Sequence, residues 1–198
     1  MDEKAELEAL IAQQEQSLRE AGCPNWPFHV CTPYVGLTTP GKKIVLIGLN
    51  PTGAIGRGLL DIYCPHHGIR EEDYDRLRPP GKPSLARPRF TSCFKEVDQI
   101  LGESVGLIVT NIIWNASPSW KKLPKPLRFP APLDRFFALI QGDCVLVVHG
   151  GKAQKRYASL RASLNLPEPV CCPHFSPRGK GDLPDIAARI ARRFSGIR

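Results

Sequence analysis

From Lys43 onward the chain alternates between two apolar patterns. Short, nearly continuous apolar runs cover residues 44–49, 105–110, 144–148 and 169–172, and in the stretches between them apolar residues recur every three or four positions. A run that is apolar at successive positions carries oily side chains on both faces of a strand, the pattern of a parallel strand covered on both sides. The spacing therefore predicts strands beginning near Lys43 and over 105–111, 144–148 and 170–172. Helices are predicted over 2–20, where Leu7, Leu10, Ile11 and Leu18 share a face and Gly22 supplies a stop, and over 92–101, with Phe94, Val97, Ile100 and Leu101 on one side. Three more are predicted over 132–141, with Pro132 in the first turn and Gly142 just past the end, over 151–164 and over 184–194. Strands alternating with helices give an α/β fold: a three-layer sandwich with a central four-stranded parallel sheet flanked by helices. A chain of 198 residues suits one domain spanning 1–198.

The connections are uneven. Residues 23–41, rich in proline and carrying Trp26, Phe28 and Tyr34, read as an ordered loop. Residues 57–90, with Pro79-Pro80-Gly81-Lys82-Pro83, and 114–132 read as long irregular segments, and each follows the carboxyl end of a strand. Loops of such length at that edge of a sheet usually carry function. Two polar segments stand at the same edge, about 120 residues apart: Gly48-Leu49-Asn50-Pro51-Thr52-Gly53 and His174-Phe175-Ser176-Pro177-Arg178. In an open α/β sheet both project into one crevice, bringing an amide and an imidazole together.

Charge narrows the class of partner. There are 27 Lys plus Arg against 19 Asp plus Glu, a formal charge of +8, which favours a polyanion through phosphate neutralisation. Lys121, Lys122, Lys125 and Arg128 sit among prolines, Lys152, Lys155 and Arg156 follow the third strand, and Arg178 and Lys180 follow the late segment. Seven cysteines, an odd number without a signal-like leader, and no apolar run near ~20 residues predict a cytoplasmic or nuclear protein that is neither secreted nor in a membrane. Cys144, Cys171 and Cys172 read as buried strand residues. Cys64 with His66 and His67 lacks a second ligand pair at zinc spacing, so no metal is expected.

The two polar segments resemble the early and late signature motifs of the uracil-DNA glycosylase superfamily. Val105 to Asn111 resembles the strand that ends in that family's base-reading Asn, and Gly150-Gly151-Lys152-Ala153-Gln154-Lys155 resembles its strand-to-helix junction. The resemblance implies a DNA glycosylase acting on DNA that contains a damaged base, as a monomer and with no metal or organic cofactor. It makes Asn50 the residue that orients the hydrolytic water and His174 the donor to the pyrimidine O2 as charge develops there. Asn111 would read O4 and N3, with Asn115 as a nearby fallback, while Gly48, Pro51 and Thr52 shape the pocket. Tyr63 is the expected stacking ring, thirteen residues after Asn50, and Phe90 its rival. Ser176, Pro177 and Arg178 would bind DNA, Arg178 as the wedge that enters the duplex, and Lys122 and Lys152 would meet phosphates. Two departures stand out: Phe175 where the family usually has Pro, and Asn rather than Asp at position 50. Activity mainly on hypoxanthine, xanthine or mismatched thymine, or a catalytically silent lesion binder, remain the rival readings.

Overall fold

The computed structural model describes residues 2–77, 87–175 and 181–196. It begins with α1 (Glu3–Glu20), whose first turn is capped by Asp2: the carboxylate accepts from the N–H groups of Lys4 and Ala5. There follow β1 (Cys31–Pro33), β2 (Lys42–Gly48), the short helices α2 (Leu59–Ile62) and α3 (Glu71–Leu77), α4 (Arg87–Leu101), β3 (Gly106–Asn111) and α5 (Leu133–Ala138). The chain closes with β4 (Asp143–His149), α6 (Gly151–Leu164), β5 (Val170–Cys172) and α7 (Leu183–Phe194).

The strands form one sheet in the order β1-β3-β2-β4-β5. The four predicted strands lie side by side and parallel, with β2 in the middle. A fifth strand corrects the expected count: β1 pairs antiparallel with the outer edge of β3, Cys31 opposite Thr110 and Pro33 opposite Ile108. Its three residues are too few to show an alternating pattern, and Pro33 argues against a strand unless that strand lies at an edge, where a missing N–H costs nothing. Bonds from neighbours hold it there: Tyr34 N–H donates to Leu107 O at 2.9 Å, and Thr110 Oγ1 to Val30 O at 2.7 Å.

Successive residues of the central strands supply two separate cores. Val45, Ile47, Ile108, Leu146 and Val148 pack with Leu7, Leu10, Ile11 and Leu18 of α1, Phe136 of α5 and Tyr157 of α6. Ile44, Leu46, Val145, Val147, Val170 and Cys172 pack on the other side with Cys93, Phe94 and Val97 of α4 and Ile186, Ala187 and Ile190 of α7. Each fully buried Leu, Ile or Phe contributes roughly 1.5–3 kcal/mol, so the helices are held to the sheet chiefly by apolar burial. Cys171 departs from the expectation: it is exposed, because a short edge strand turns alternate side chains outward, while Cys172 is buried and Cys144 half-buried. The segment after β2, expected to be irregular, contains α2 and α3, and α4 begins at Arg87, five residues earlier than its apolar pattern indicates. Among the described residues no helix is long and apolar enough to cross a membrane.

At the amino edge of the sheet the polar groups are fully engaged. Lys43, only 2% exposed, donates through Nζ to the carbonyls of Thr39 and Gln141. Its burial pulls the pKa below the ordinary lysine range. Glu3, also buried, accepts from Thr38 N–H at 3.0 Å and from the hydroxyls of Thr38 and Tyr63.

Candidate active site

β2, β3 and β4 end level with one another. Gly48 pairs with Asn111, and Ile47 with Val148, so Gly48 stands between Asn111 on one neighbour and His149 on the other. Gly48 has to be glycine: a Cβ there would lie 2.6 Å from Asn111 Oδ1 and 3.3 Å from His149 Nε2. Beyond the strand ends, Ile112 N–H bonds to Gly48 O and Ile113 N–H to Leu49 O, both at 3.0 Å, which carries the β2–β3 pairing into the two loops. Ser117 N–H then bonds to Pro51 O at 2.9 Å, joining the loops into one wall.

The wall orients Asn50. Its amide nitrogen donates to Pro51 O at 3.2 Å and Ser117 O at 3.3 Å, a choice forced by chemistry because the reversed amide would set oxygen against two carbonyl oxygens. The side-chain oxygen is left as the group that can accept from a ligand or a water. A cavity of about 210 Å³ opens beside it and is lined by Asn50, Pro51, Thr52, Phe90, Asn111 and His174 among the expected site residues. An adjoining recess of about 360 Å³ shares Asn50, Thr52, Asn111 and His174 and adds Gly48 and Lys152. Residues from five separate stretches of sequence thus converge on one crevice at the carboxyl edge.

His174 is set by what surrounds it. The carbonyl of Cys172 accepts from Gly150 N–H at 3.0 Å and from Gln154 Nε2 at 2.6 Å, tying the end of β5 to the start of α6. Phe175, which replaces the expected proline, is 1% exposed and anchors this segment between Phe90 and Phe94, at 6.3 and 6.1 Å between ring centroids. Gly150, at φ 88°, allows the approach of His174, whose Cδ2 would stand 3.2 Å from a Cβ there. The imidazole lies 4.8 Å from that of His149, centroid to centroid. Burial, with His174 adding a smaller repulsion, pulls the pKa of His149 down to about 3, and partial desolvation lowers that of His174 although its outer edge is exposed. Both rings are therefore neutral at pH 7, and each carries one N–H.

Other expected residues fall elsewhere. Tyr63 does not line the crevice: it is 4% exposed in the core, its hydroxyl donating to Glu3 and accepting from Leu37 N–H at 3.2 Å, so it is no stacking ring. Phe90, half-buried on α4, is the one of the two expected rings that lines the cavity. Asn115 is saturated, accepting from Gln14 Nε2 at 2.6 Å and donating to Leu127 O at 2.8 Å. Lys122 is exposed in a single 3-10 turn (Trp120–Lys122) and lines neither recess. Among the described residues Lys121, Lys122, Lys125, Lys152 and Lys155 form no ion pair. Arg128 lies over the Trp120 ring at 4.7 Å. Ser176, Pro177 and Arg178 lie outside the described residues.

Sequence reasoning missed His29, Tyr34, Tyr74, Arg87 and His149, all of which line the cavity. His29 Nε2 is 2.8 Å from Thr32 Oγ1, and Arg87 bridges Asp75 at 3.0 Å, Glu71 at 2.7 Å and the hydroxyl of Tyr34 at 3.3 Å. His29 and Tyr34 reach the site only because β1 pairs with β3, which no local pattern announces. His149 carried a usable signal, a titratable residue closing an apolar strand directly before two glycines. No protein-family model matches this chain, and neither does any curated protein sequence.

Proposed function

We propose that this chain is a monofunctional DNA glycosylase of the uracil-DNA glycosylase superfamily, a three-layer α/β sandwich that acts as a monomer, in the cytoplasm or nucleus, on DNA containing a deaminated base. The observation that carries the reading is the convergence of Asn50, Asn111, Phe90 and His174 on one crevice at the carboxyl edge of the sheet. A stacked nucleotide is out of reach of such a crevice, so the damaged nucleotide is extruded and its base enclosed. Phe90 offers a face for the base and Asn111 its amide for the base edge. The bond from C1′ to the base nitrogen breaks, its electron pair leaves with the base, and the negative charge spreads to the carbonyl oxygen beside that nitrogen. A neutral His174 N–H stabilises that charge by donation. Water held by the Asn50 oxygen adds to C1′ and loses a proton, which ultimately neutralises the departed base; the products are the free base and an abasic sugar. An amide does not titrate, so Asn50 positions the water rather than deprotonating it.

Lys152 at the recess, which forms no ion pair among the described residues, supports an anionic polymer as partner. The test is base release from oligonucleotides carrying uracil, xanthine, hypoxanthine or mismatched thymine, read as strand cleavage after alkali. Release of uracil is expected. Retained binding with no release from any lesion would replace the enzyme with a silent lesion binder.

A further inference from the structure

His149 has no part in the mechanism above, yet it lines the cavity with a polar atom left unsatisfied. Its Nδ1 is buried and has no hydrogen-bond partner among the described residues. A neutral imidazole carries one proton, and a buried N–H without an acceptor is the costlier arrangement, so the proton sits on Nε2. That atom faces the gap above Gly48, where a Cβ would meet it at 3.3 Å. Across the same gap Asn111 Oδ1 lies 2.6 Å from that point and its Cγ 3.6 Å, so the amide oxygen points inward and the amide nitrogen outward. Among the described residues the Asn111 side chain makes no hydrogen bond, and it is 9% exposed. Across three adjacent strands the row therefore runs donor (Asn111 Nδ2), acceptor (Asn111 Oδ1), donor (His149 Nε2), with the missing side chain of Gly48 as the slot between them.

We propose that His149 is a base-reading residue, and that the Asn111–Gly48–His149 row selects bases whose edge presents acceptor, donor, acceptor in that order. The inference rests on the glycosylase reading for the identity of the ligand as a base. Uracil has this edge in O4, N3–H and O2, and xanthine has it in O6, N1–H and O2. Hypoxanthine lacks the second acceptor, guanine replaces it with an amino donor, and cytosine inverts the first two positions. Thymine presents the same edge as uracil, so this row does not separate them. The substrate class is thus the dioxo bases, and xanthine is accepted in preference to hypoxanthine.

The test is equilibrium binding of free bases at pH 6.5 by calorimetry, in two pairs that differ only in the O2 carbonyl, which His149 meets in the bound base and, for uracil, His174 meets as charge develops on it: uracil against 4(3H)-pyrimidinone, and xanthine against hypoxanthine. The intact chain should bind the dioxo member roughly 10- to 100-fold more tightly. His149→Leu should reduce this preference to about twofold or less, and His149→Gln, which restores a donor, should recover part of it. Equal binding within each pair by the intact chain, or no binding of any of these bases, overturns the proposal, and neither result depends on whether the variants fold. Binding of free base involves no bond cleavage. A chain that shows the preference yet releases no base from DNA would sink the glycosylase reading and leave the edge-reading row standing.

Discussion

The two edges of the sheet hold similar polar inventories and use them in opposite ways. At the amino edge Lys43, Glu3, Tyr63 and Thr38 are buried or half-buried and each has its partners within the fold. At the carboxyl edge the Asn111 amide and His149 Nε2 face the gap above Gly48, beside a cavity that both residues line, and find no partner among the described residues. A buried polar group with all its bonds made rigidifies a fold, whereas one left open carries a standing cost that only a ligand or solvent relieves. Asn111 and Asn115 make the contrast within a single turn of chain: the same side chain is open at one position and saturated at the other.

The contrast can be broken most forcefully at the carboxyl edge. On the proposed glycosylase reading, Asn50→Ala and His174→Ala should each lower single-turnover release of uracil by about 10²–10³-fold while leaving affinity for the DNA within a few-fold, because each would remove one oriented group that acts on developing charge or on the water. Equal losses in rate and binding would mean damage to the fold instead.

At the amino edge, Lys43→Met should do the reverse. It strands two carbonyls, at about 1–3 kcal/mol, and should lower the midpoint of thermal unfolding by several degrees without altering release at a temperature where the variant is folded. A selective loss of activity would show that the edge is not merely structural.

The asparagine pair sharpens the point. Asn111→Asp exchanges a donor for an acceptor, so the ratio of uracil to cytosine release should fall. Asn115→Asp should cost about 1–3 kcal/mol of stability through its lost donation to Leu127 O and leave the ratio unchanged. If both substitutions move the ratio alike, openness to the cavity is not what separates the two residues.

Acid tests the histidine pair, and His149→Leu isolates one member of it. The folded pKa of His149, about 3, lies below the 6.5 of an unfolded histidine, so between these values the unfolded chain takes up the proton first. Stability from this group is complete above pH 6.5 and is lost as pH falls toward 3. Chemical denaturation at pH 5 and 6.5 should show a smaller drop in His149→Leu than in the parent.

The smallest effect is electrostatic. Lys152→Ala, at the recess, should make the slope of log affinity against log salt shallower by about 0.9, the value for one phosphate on a duplex. Lys122→Ala should change it less if the crevice and not the whole basic surface defines the path of the strand.

Much of this was legible beforehand. The four parallel strands and helices α1, α4, α5, α6 and α7 stood in the sequence because burial on both faces of a strand and on one face of a helix each leave a local period, and a period survives without knowledge of partners; the short α3, with no buried residue, leaves none. Gly48, Asn50, Asn111 and His174 were likewise legible because they close strands, and strand ends in an open parallel sheet share an edge. Tyr63 shows where this stopped. An aromatic residue in an irregular segment has no period, so its direction depends on what meets it; here Glu3, sixty residues earlier, took its hydroxyl into the core, and Phe90 from α4 was left to face the cavity. The edge strand β1, the saturation of Asn115 by Gln14, and the opposition of His149 to Asn111 across Gly48 were decided only in three dimensions. Each depends on contacts between residues distant in the chain, and hydrogen-bond satisfaction, which separates the open groups from the closed ones, is a property of neighbours in space.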